Sequence, residues 1–208
     1  MSISARQIER QNFIIVKQLQ KMNSNPHFTI VSKDPDNYEV FYILLHPQGG
    51  HFANQQHILE LKTIYGTDSI KYYFPFNPPL VKFLTKIYHT NISHSGSICL
   101  DILQTPNKWS PQYTIETVMT SIIALLDDPN TSHPFNPEPS QHWTKCFRKY
   151  REYLESHKKD SVGNLMKVES EIFEEYDKKA FKVSLENKLD EWAQYFPTLL
   201  NLDKMKLA

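Results

Sequence analysis

The chain has 208 residues with 23 basic and 23 acidic side chains, so its formal net charge is zero. This balance excludes a general electrostatic attraction to nucleic acid or to an anionic membrane, and we expect neither as a partner. A core of ~150 residues buries about 70% of the surface of its unfolded chain and needs no metal or disulfide for stability. Two cysteines, Cys99 and Cys146, are too few for a disulfide scaffold and favour a reducing intracellular compartment, the cytoplasm or the nucleus.

The first elements predicted along the chain are one helix and four strands. Ser4 and Gln7 have the spacing of a capping box, and apolar residues then share one helical face as far as Met22. Charged and amide residues interrupt the apolar run of this helix, so it predicts neither a signal peptide nor a membrane span. β-branched and aromatic residues predict an antiparallel meander of four strands, at 27–31, 38–45, 58–64 and 80–84.

The second half of the chain predicts a long connection and then helices. Residues 85–113 carry no strong periodicity, and long ordered connections of this kind are more often functional than filler. A wide apolar stripe predicts a core helix that starts at Thr114 and stops at the turn 127–130. A further helix, reaching about His157, is predicted to bury Trp143, Phe147, Tyr150 and Leu154.

The Lys- and Glu-rich residues 160–208 predict one more amphipathic helix. Its apolar side would carry Leu185, Leu189, Trp192 and Phe196, which either pack within the molecule or bind a partner. The order of elements predicts an α+β domain in which an N-terminal helix and a four-stranded antiparallel sheet are followed by helices. We assign residues 1–158 to this core domain and residues 159–208 to a helical C-terminal extension.

The two cysteines differ in their surroundings. Cys146 lies among apolar positions of a predicted helix and fits a small buried hydrophobe. Cys99 follows the polar, turn-forming "SHSGS", and Asp101 stands two residues after it. Because thiol reactivity depends on exposure and local charge, these residues alone leave both a reactive and a packing role open for Cys99.

If Cys99 is reactive, three kinds of site compete. A hydrolase needs a histidine base at the thiol, and the candidates, none of which sits in a known cysteine-protease signature, are His89, His94 and His133. A carrier of acyl groups needs no strong base, and the Asn91 amide can donate to its oxyanion, a contact whose loss costs ~3 to 4 kcal/mol of activation free energy. The spacing of His89, His94 and Cys99 matches no common zinc site, so we expect no metal.

Five motifs in order along residues 74–154 resemble those of the ubiquitin-conjugating enzymes. They are "FPFNPP" at 74–79, "HTN" at 89–91, "GSICLDIL" at 96–103, "WSP" at 109–111 and "LLDDPN" at 125–130. Together with the predicted fold, the resemblance covers most of residues 1–158. It implies a carrier that takes ubiquitin as a thioester from an activating enzyme and delivers it to a lysine of a substrate protein, usually with a RING-type ligase. It also implies no cofactor, since ATP is used by the activating enzyme.

The resemblance assigns roles to individual residues. Cys99 matches the thioester-forming cysteine, Asn91 the asparagine that steadies the loop and the oxyanion, and His89 the structural histidine of the same motif. Asp101 stands where a carboxylate can orient the incoming lysine. The surfaces for the ligase and the activating enzyme are matched by Phe76, Pro111, Arg6, Arg10 and Lys17.

This chain also departs from the family pattern. Thr90 replaces a proline, which removes the φ restriction before Asn91. His133 stands where many members carry an aspartate or serine, and it is either a base for the attacking lysine or a solvated loop residue. Thr120 replaces an apolar residue that packs against the carried ubiquitin. Trp109 comes two residues later than usual, the usual Tyr-Gly-Gly of the second hairpin is absent, and about six extra residues precede "FPFNPP".

These departures leave three hypotheses. The leading one is an active ubiquitin carrier. The second is a module of the same fold that binds ubiquitin or a ligase but transfers poorly because Thr90, Thr120 and His133 weaken the site, although the retained Cys99 argues against it. The third is a thiol hydrolase on Cys99, which requires a base that the sequence does not display.

Overall fold

The computed structural model describes residues 5–22, 24–31, 38–67, 69–104 and 108–187. The elements in order are α1 (Ala5–Met22), β1 (Phe28–Val31), β2 (Val40–Leu45), β3 (His57–Lys62), β4 (Ile64–Gly66), β5 (Lys71–Tyr73), β6 (Leu80–Phe83), a 3₁₀ turn (Asp101–Leu103), α2 (Ile115–Asp127), α3 (Pro137–Ser156) and α4 (Val162–Leu185). Among the described residues, none of the helices combines the length and the apolar character needed to cross a membrane.

Four strands form one antiparallel sheet in the order β1-β2-β3-β6. Alternate residues of the central strands, such as Phe41 and Ile43 of β2, are buried because successive side chains of a strand point to opposite faces. The predicted α+β order and the four-stranded antiparallel meander are confirmed.

The third strand ends earlier than predicted, and a small hairpin follows it. The Thr63 backbone N–H donates to Glu39 (2.9 Å), while its carbonyl accepts from the Phe74 N–H (2.9 Å) and from Nε2 of Gln11 in α1 (3.3 Å). β4 and β5 then pair with each other, and the rings of Tyr65 and Tyr72 stack 5.1 Å apart. The extra residues noted before "FPFNPP" form this hairpin, which the sequence pattern did not predict.

Helix α2 is the central helix of the core, as predicted. It begins with a capping box between Thr114 and Thr117, and the N–H of Ile115 donates to Oε1 of Gln18 in α1 (2.9 Å). Thr120 is exposed on its outer side. The helix buries Ile115, Val118, Met119, Ile122, Leu125 and Leu126.

The next helix, α3, packs on the core with most of its predicted apolar residues, but one of them is exposed, which corrects that prediction. Trp143 and Cys146 of α3 are buried, but Phe147 is 47% exposed and lies under the guanidinium of Arg151. Tyr150, one turn beyond Cys146, is half-buried and packs against the core, and Leu154 is also half-buried. The face of α3 that meets the core therefore runs through Trp143, Cys146 and Tyr150, and Phe147 lies at its edge.

Helix α4 packs its second half against α3 and the sheet domain. Phe173 and Tyr176 contact Trp143 with ring centroids 4.8 and 5.1 Å apart, and both belong to the same hydrophobic core as α2 and the strands. The Tyr176 hydroxyl donates to the carbonyl of Tyr88 (3.2 Å). Tyr88 begins the stretch that contains Cys99, residues 88–102, which we call the cysteine segment. Of the predicted apolar stripe, Leu185 is exposed at the end of α4, and its other members lie outside the described residues.

Candidate active site

A tight turn brings Cys99 back beside Asn91. Ile92 and Ile98 form an isolated bridge, and Gly96 (φ +85°) packs so closely on β6 that an added Cβ would lie 1.9 Å from the carbonyl oxygen of Phe83. Glycine is the residue that tolerates both this φ and this approach. The turn ends with the Cys99 N–H donating to the Asn91 carbonyl (2.9 Å), so residues that are eight apart in sequence become neighbours.

The Asn91 side chain is fully buried and clasps the turn after α2. Its Oδ1 accepts from the N–H of Asn130 (2.8 Å), and its Nδ2 donates to the carbonyl of Asn130 (2.7 Å). The clasp joins the "HTN" and "LLDDPN" motifs at one point. It accounts directly for a loop-positioning role, and it leaves the second Nδ2 hydrogen available for another acceptor.

The His89 imidazole is held as a neutral structural group. Its Nε2 donates to the carbonyl of Leu125 (2.9 Å), and its Nδ1 accepts from the N–H of Asn91 (3.1 Å). Burial disfavours the charged form and lowers the pKa of His89 to about 4. Because both ring nitrogens are engaged, His89 is not available as a base for Cys99.

Thr90 occupies the position of the family proline with its side chain fully buried. The Thr90 carbonyl accepts from the N–H groups of Phe135 (2.9 Å) and Asn136 (3.0 Å), which fixes the chain on that side. Its hydroxyl oxygen, by contrast, has no hydrogen-bond partner within the described part of the chain. The backbone carbonyl of Thr90 is therefore satisfied, while its side chain adds a buried polar atom that proline lacks.

Cys99 is half-buried, and a lysine that the sequence did not single out lies nearby. Leu100 is extended (φ −134°, ψ 125°), so the side chains of Cys99 and Asp101 leave the chain on the same side. Oδ2 of Asp101 accepts from Nζ of Lys108 (2.5 Å). The carboxylate expected to orient an incoming lysine is thus already paired with a lysine of this chain. The resemblance gave no signal for this pair, although Lys108 stands in the longer connection before Trp109.

The remaining histidine candidates are exposed. His94 lies on the turn before Gly96, and His133 lies in the turn that follows Asn130. In residues 38–67, 69–104 and 108–187, no histidine is hydrogen-bonded to the Cys99 thiol. No group of three or more His, Cys, Asp or Glu side chains in the described chain is arranged to hold a metal ion.

The predicted partner surface is exposed, and one part of it is joined to the site. Phe76 is 77% exposed, Pro111 is exposed, and the indole Nε1 of Trp109 donates to the carbonyl of Pro75 (2.8 Å). This bond ties the "FPFNPP" and "WSP" loops together next to Lys108. On α1, the three predicted basic residues are exposed: Arg6, Arg10 and Lys17.

Comparison with known proteins gives one family. The family model described as "Ubiquitin-conjugating enzyme" matches residues 14–158. Ubiquitin-conjugating enzyme E2 2 of Yarrowia lipolytica is 43% identical over 89 residues, which are 43% of this chain and 55% of the relative. Ubiquitin-conjugating enzyme E2 1 of Caenorhabditis elegans is 44% identical over 82 residues, 39% of this chain and 42% of the relative.

The matched part of the chain spans about half the length of these curated relatives. The range of the family model is wider, and it contains the four-stranded sheet, α2, α3 and the whole cysteine segment. The chain therefore belongs to the ubiquitin-conjugating enzyme family.

Proposed function

We propose that this protein accepts ubiquitin from an activating enzyme as a thioester on Cys99 and transfers it to a lysine of a substrate protein, usually with a ligase. The observation that carries the proposal is the placement of Cys99. Its backbone is fixed to Asn91, its thiol is half-buried, and no histidine base is bonded to it in the described chain. A site of this kind can hold a thioester without directing water at it.

The proposed reaction has two acyl transfers. In the first, the Cys99 thiolate attacks the thioester of the activating enzyme, and the acyl group exchanges one C–S bond for another. In the second, a lysine amine attacks the carbonyl carbon, and the C–S bond to Cys99 breaks. The free Nδ2 hydrogen of Asn91 is the candidate donor to the oxyanion formed in between.

The proposal includes the partners expected from the resemblance. Exposed Phe76 and Pro111 would contact a RING-type ligase, and the basic face of α1 would contact the activating enzyme. ATP is consumed by the activating enzyme, so this chain needs no metal or organic cofactor. We place these reactions inside the cell, in the cytoplasm or the nucleus.

The test is a loading reaction with activating enzyme, ATP and ubiquitin, followed by a non-reducing gel. An adduct sensitive to reductant should form with the wild type, be absent in Cys99→Ala, and resist reductant in Cys99→Ser. Cys146→Ala is the matched control, because the second cysteine is buried and should not carry ubiquitin. Failure to load with several activating enzymes and modifiers, or loading of Cys99→Ala, would contradict the proposal.

The second candidate function is a weakened carrier that mainly binds ubiquitin or a ligase. It is favoured by the pairing of Asp101 with Lys108, which occupies the carboxylate expected to receive the substrate lysine. Normal loading with very slow discharge to free lysine would identify this case. The pH profile of discharge in His133→Ala tests the remaining base candidate, and a profile identical to that of the wild type would remove His133 from the mechanism.

A further inference from the structure

We propose that Lys108 is an internal acceptor for the acyl group carried on Cys99, so that the protein modifies itself at this lysine. The inference rests on the proposed function, because it requires the Cys99 thioester. It goes beyond that function by naming one lysine of the chain itself as a substrate.

The backbone places the acceptor and the thioester on the same side of the chain. With Leu100 extended, the Cα atoms of Cys99 and Asp101 are separated by about 7 Å, and their side chains project in the same direction. The Lys108 ammonium is bonded to the Asp101 carboxylate (2.5 Å). The ion pair therefore holds a primary amine on the side of the chain from which the Cys99 thiol projects, where an incoming substrate lysine would also have to arrive.

The position of Lys108 is also fixed from its other side. The neighbouring Trp109 is bonded through its indole to Pro75, and its ring lies 6.0 Å from that of Phe74 and 5.5 Å from that of Tyr113. The Lys108 side chain itself is 55% exposed and is free to leave the ion pair. A tethered amine of this kind has an effective concentration in the millimolar range or above, which a free lysine must match in order to compete.

The step is a simple aminolysis. The Lys108 ammonium first releases a proton to solvent, and the free amine attacks the thioester carbonyl carbon. A C–N bond forms, the C–S bond breaks, and Cys99 leaves as a thiolate that is protonated by water. The products are an isopeptide on Lys108 and a free Cys99, and no oxidant, metal or further co-reactant is needed.

The experiment is a single-turnover chase of the whole protein loaded with ubiquitin. After loading is stopped, the adduct that resists reductant is followed on a reducing gel, and its site is mapped by peptide mass spectrometry. We expect an isopeptide on Lys108 whose rate of formation does not depend on protein concentration. Lys108→Arg retains a cation for Asp101 but lacks a primary amine, and it should reduce the total adduct that resists reductant at least tenfold.

Lys82→Arg is the matched control. Lys82 is exposed and its backbone is bridged to Ser97, but its side chain packs against Gly96 instead of pairing with Asp101. This variant should form the Lys108 product at the rate of the wild type.

Three outcomes would overturn the inference. A thioester that forms and decays without an isopeptide on Lys108 contradicts it while leaving the proposed function in place. A rate proportional to protein concentration shows transfer between two molecules and contradicts an internal acceptor. Absence of any Cys99 thioester refutes the proposed function itself, and the inference then falls with it.

Discussion

The two sides of the cysteine segment are built in different ways. The inner wall, which consists of His89, Thr90 and Asn91, is 0% exposed. The side chains of His89 and Asn91 bond to the backbone at the end of α2 and in the turn after it, whereas the Thr90 hydroxyl has no partner in the described chain. The outer lip, which consists of Asp101, Lys108 and His133, is exposed, and an ion pair joins Asp101 to Lys108.

This difference predicts where substitutions are costly. An exposed ion pair contributes about 0–1 kcal/mol to stability, whereas a buried polar group that loses its partner costs ~1–3 kcal/mol. Substitutions in the inner wall should therefore lower the stability of the fold, and with it the arrangement of the site. The outer lip can change with little effect on the fold.

The largest effect that we expect is a loss of stability at low pH. His57, at the start of β3, is buried like His89, and burial lowers the pKa of His57 to about 3. Below the unfolded value of ~6.5, each histidine takes up a proton only when the chain unfolds, so the free energy of unfolding decreases by ~1.4 kcal/mol per pH unit for each. Urea unfolding between pH 7 and 4.5 should show a slope from these two groups that is small at pH 7 and approaches ~2.7 kcal/mol per pH unit near pH 5, between the unfolded pKa and the two lowered values.

Two variants test whether this slope comes from the buried histidines. The Thr85 hydroxyl accepts from the Ile58 N–H and faces Nδ1 of His57, while Nε2 of His57 faces Oε1 of Gln55, so glutamine can make similar contacts. His57→Gln should reduce the slope by about half. His133→Ala, on the outer lip, is the matched exposed control. A slope that is unchanged in His57→Gln would show that His57 does not stay neutral in the folded protein.

The second effect concerns the Asn91 clasp. Asn91→Ala removes both bonds to the Asn130 backbone and should lower the free energy of unfolding by about 2 kcal/mol, since each such bond contributes ~0.5–1.5 kcal/mol. Asp101→Asn, on the outer lip, should change it by less than ~0.5 kcal/mol. Denaturant unfolding of the two variants compares the two sides of the site directly.

The kinetics of Asn91→Ala separate the two proposed roles of Asn91, which are positioning the loop and donating to the oxyanion. If Asn91 also donates to the oxyanion, discharge from loaded Asn91→Ala should be slower by a factor on the order of 100 to 1,000 while loading remains close to normal. Unchanged discharge would remove the oxyanion role. Wild-type stability of Asn91→Ala would contradict the importance of the clasp itself.

The sequence predicted those features that depend on local pattern. The periods of two and 3.6 residues identified the four strands of the main sheet and the core face of α2. They missed the β4–β5 hairpin because strands of three residues are too short to show a period. The helical period wrongly predicted a buried Phe147, because either Cys146 or Phe147 can follow Trp143 on an apolar face and the period does not show which of them meets the core.

The site was predictable at the level of motifs but not of contacts. The spacing of Asn91, Cys99 and Asp101 pointed to the cysteine segment. The clasp joins residues that are 39 apart, and the Asp101–Lys108 pair depends on how the chain returns towards Trp109. Such contacts follow from the tertiary arrangement, which no local pattern contains.

The smallest effect that we expect comes from the Thr90 hydroxyl, the group of the inner wall for which the described chain provides no hydrogen-bond partner. The buried Thr90 hydroxyl lacks a partner in the described chain, and valine has nearly the same shape without the polar atom. Thr90→Val should therefore raise the free energy of unfolding by about 1 kcal/mol, or the midpoint of thermal unfolding by ~2–4 °C. Thr120→Val, on the exposed side of α2, is the matched control and should change stability by no more than ~0.5 kcal/mol. If Thr90→Val is instead destabilised, the hydroxyl has a bound partner such as water, and the inner wall is then satisfied throughout.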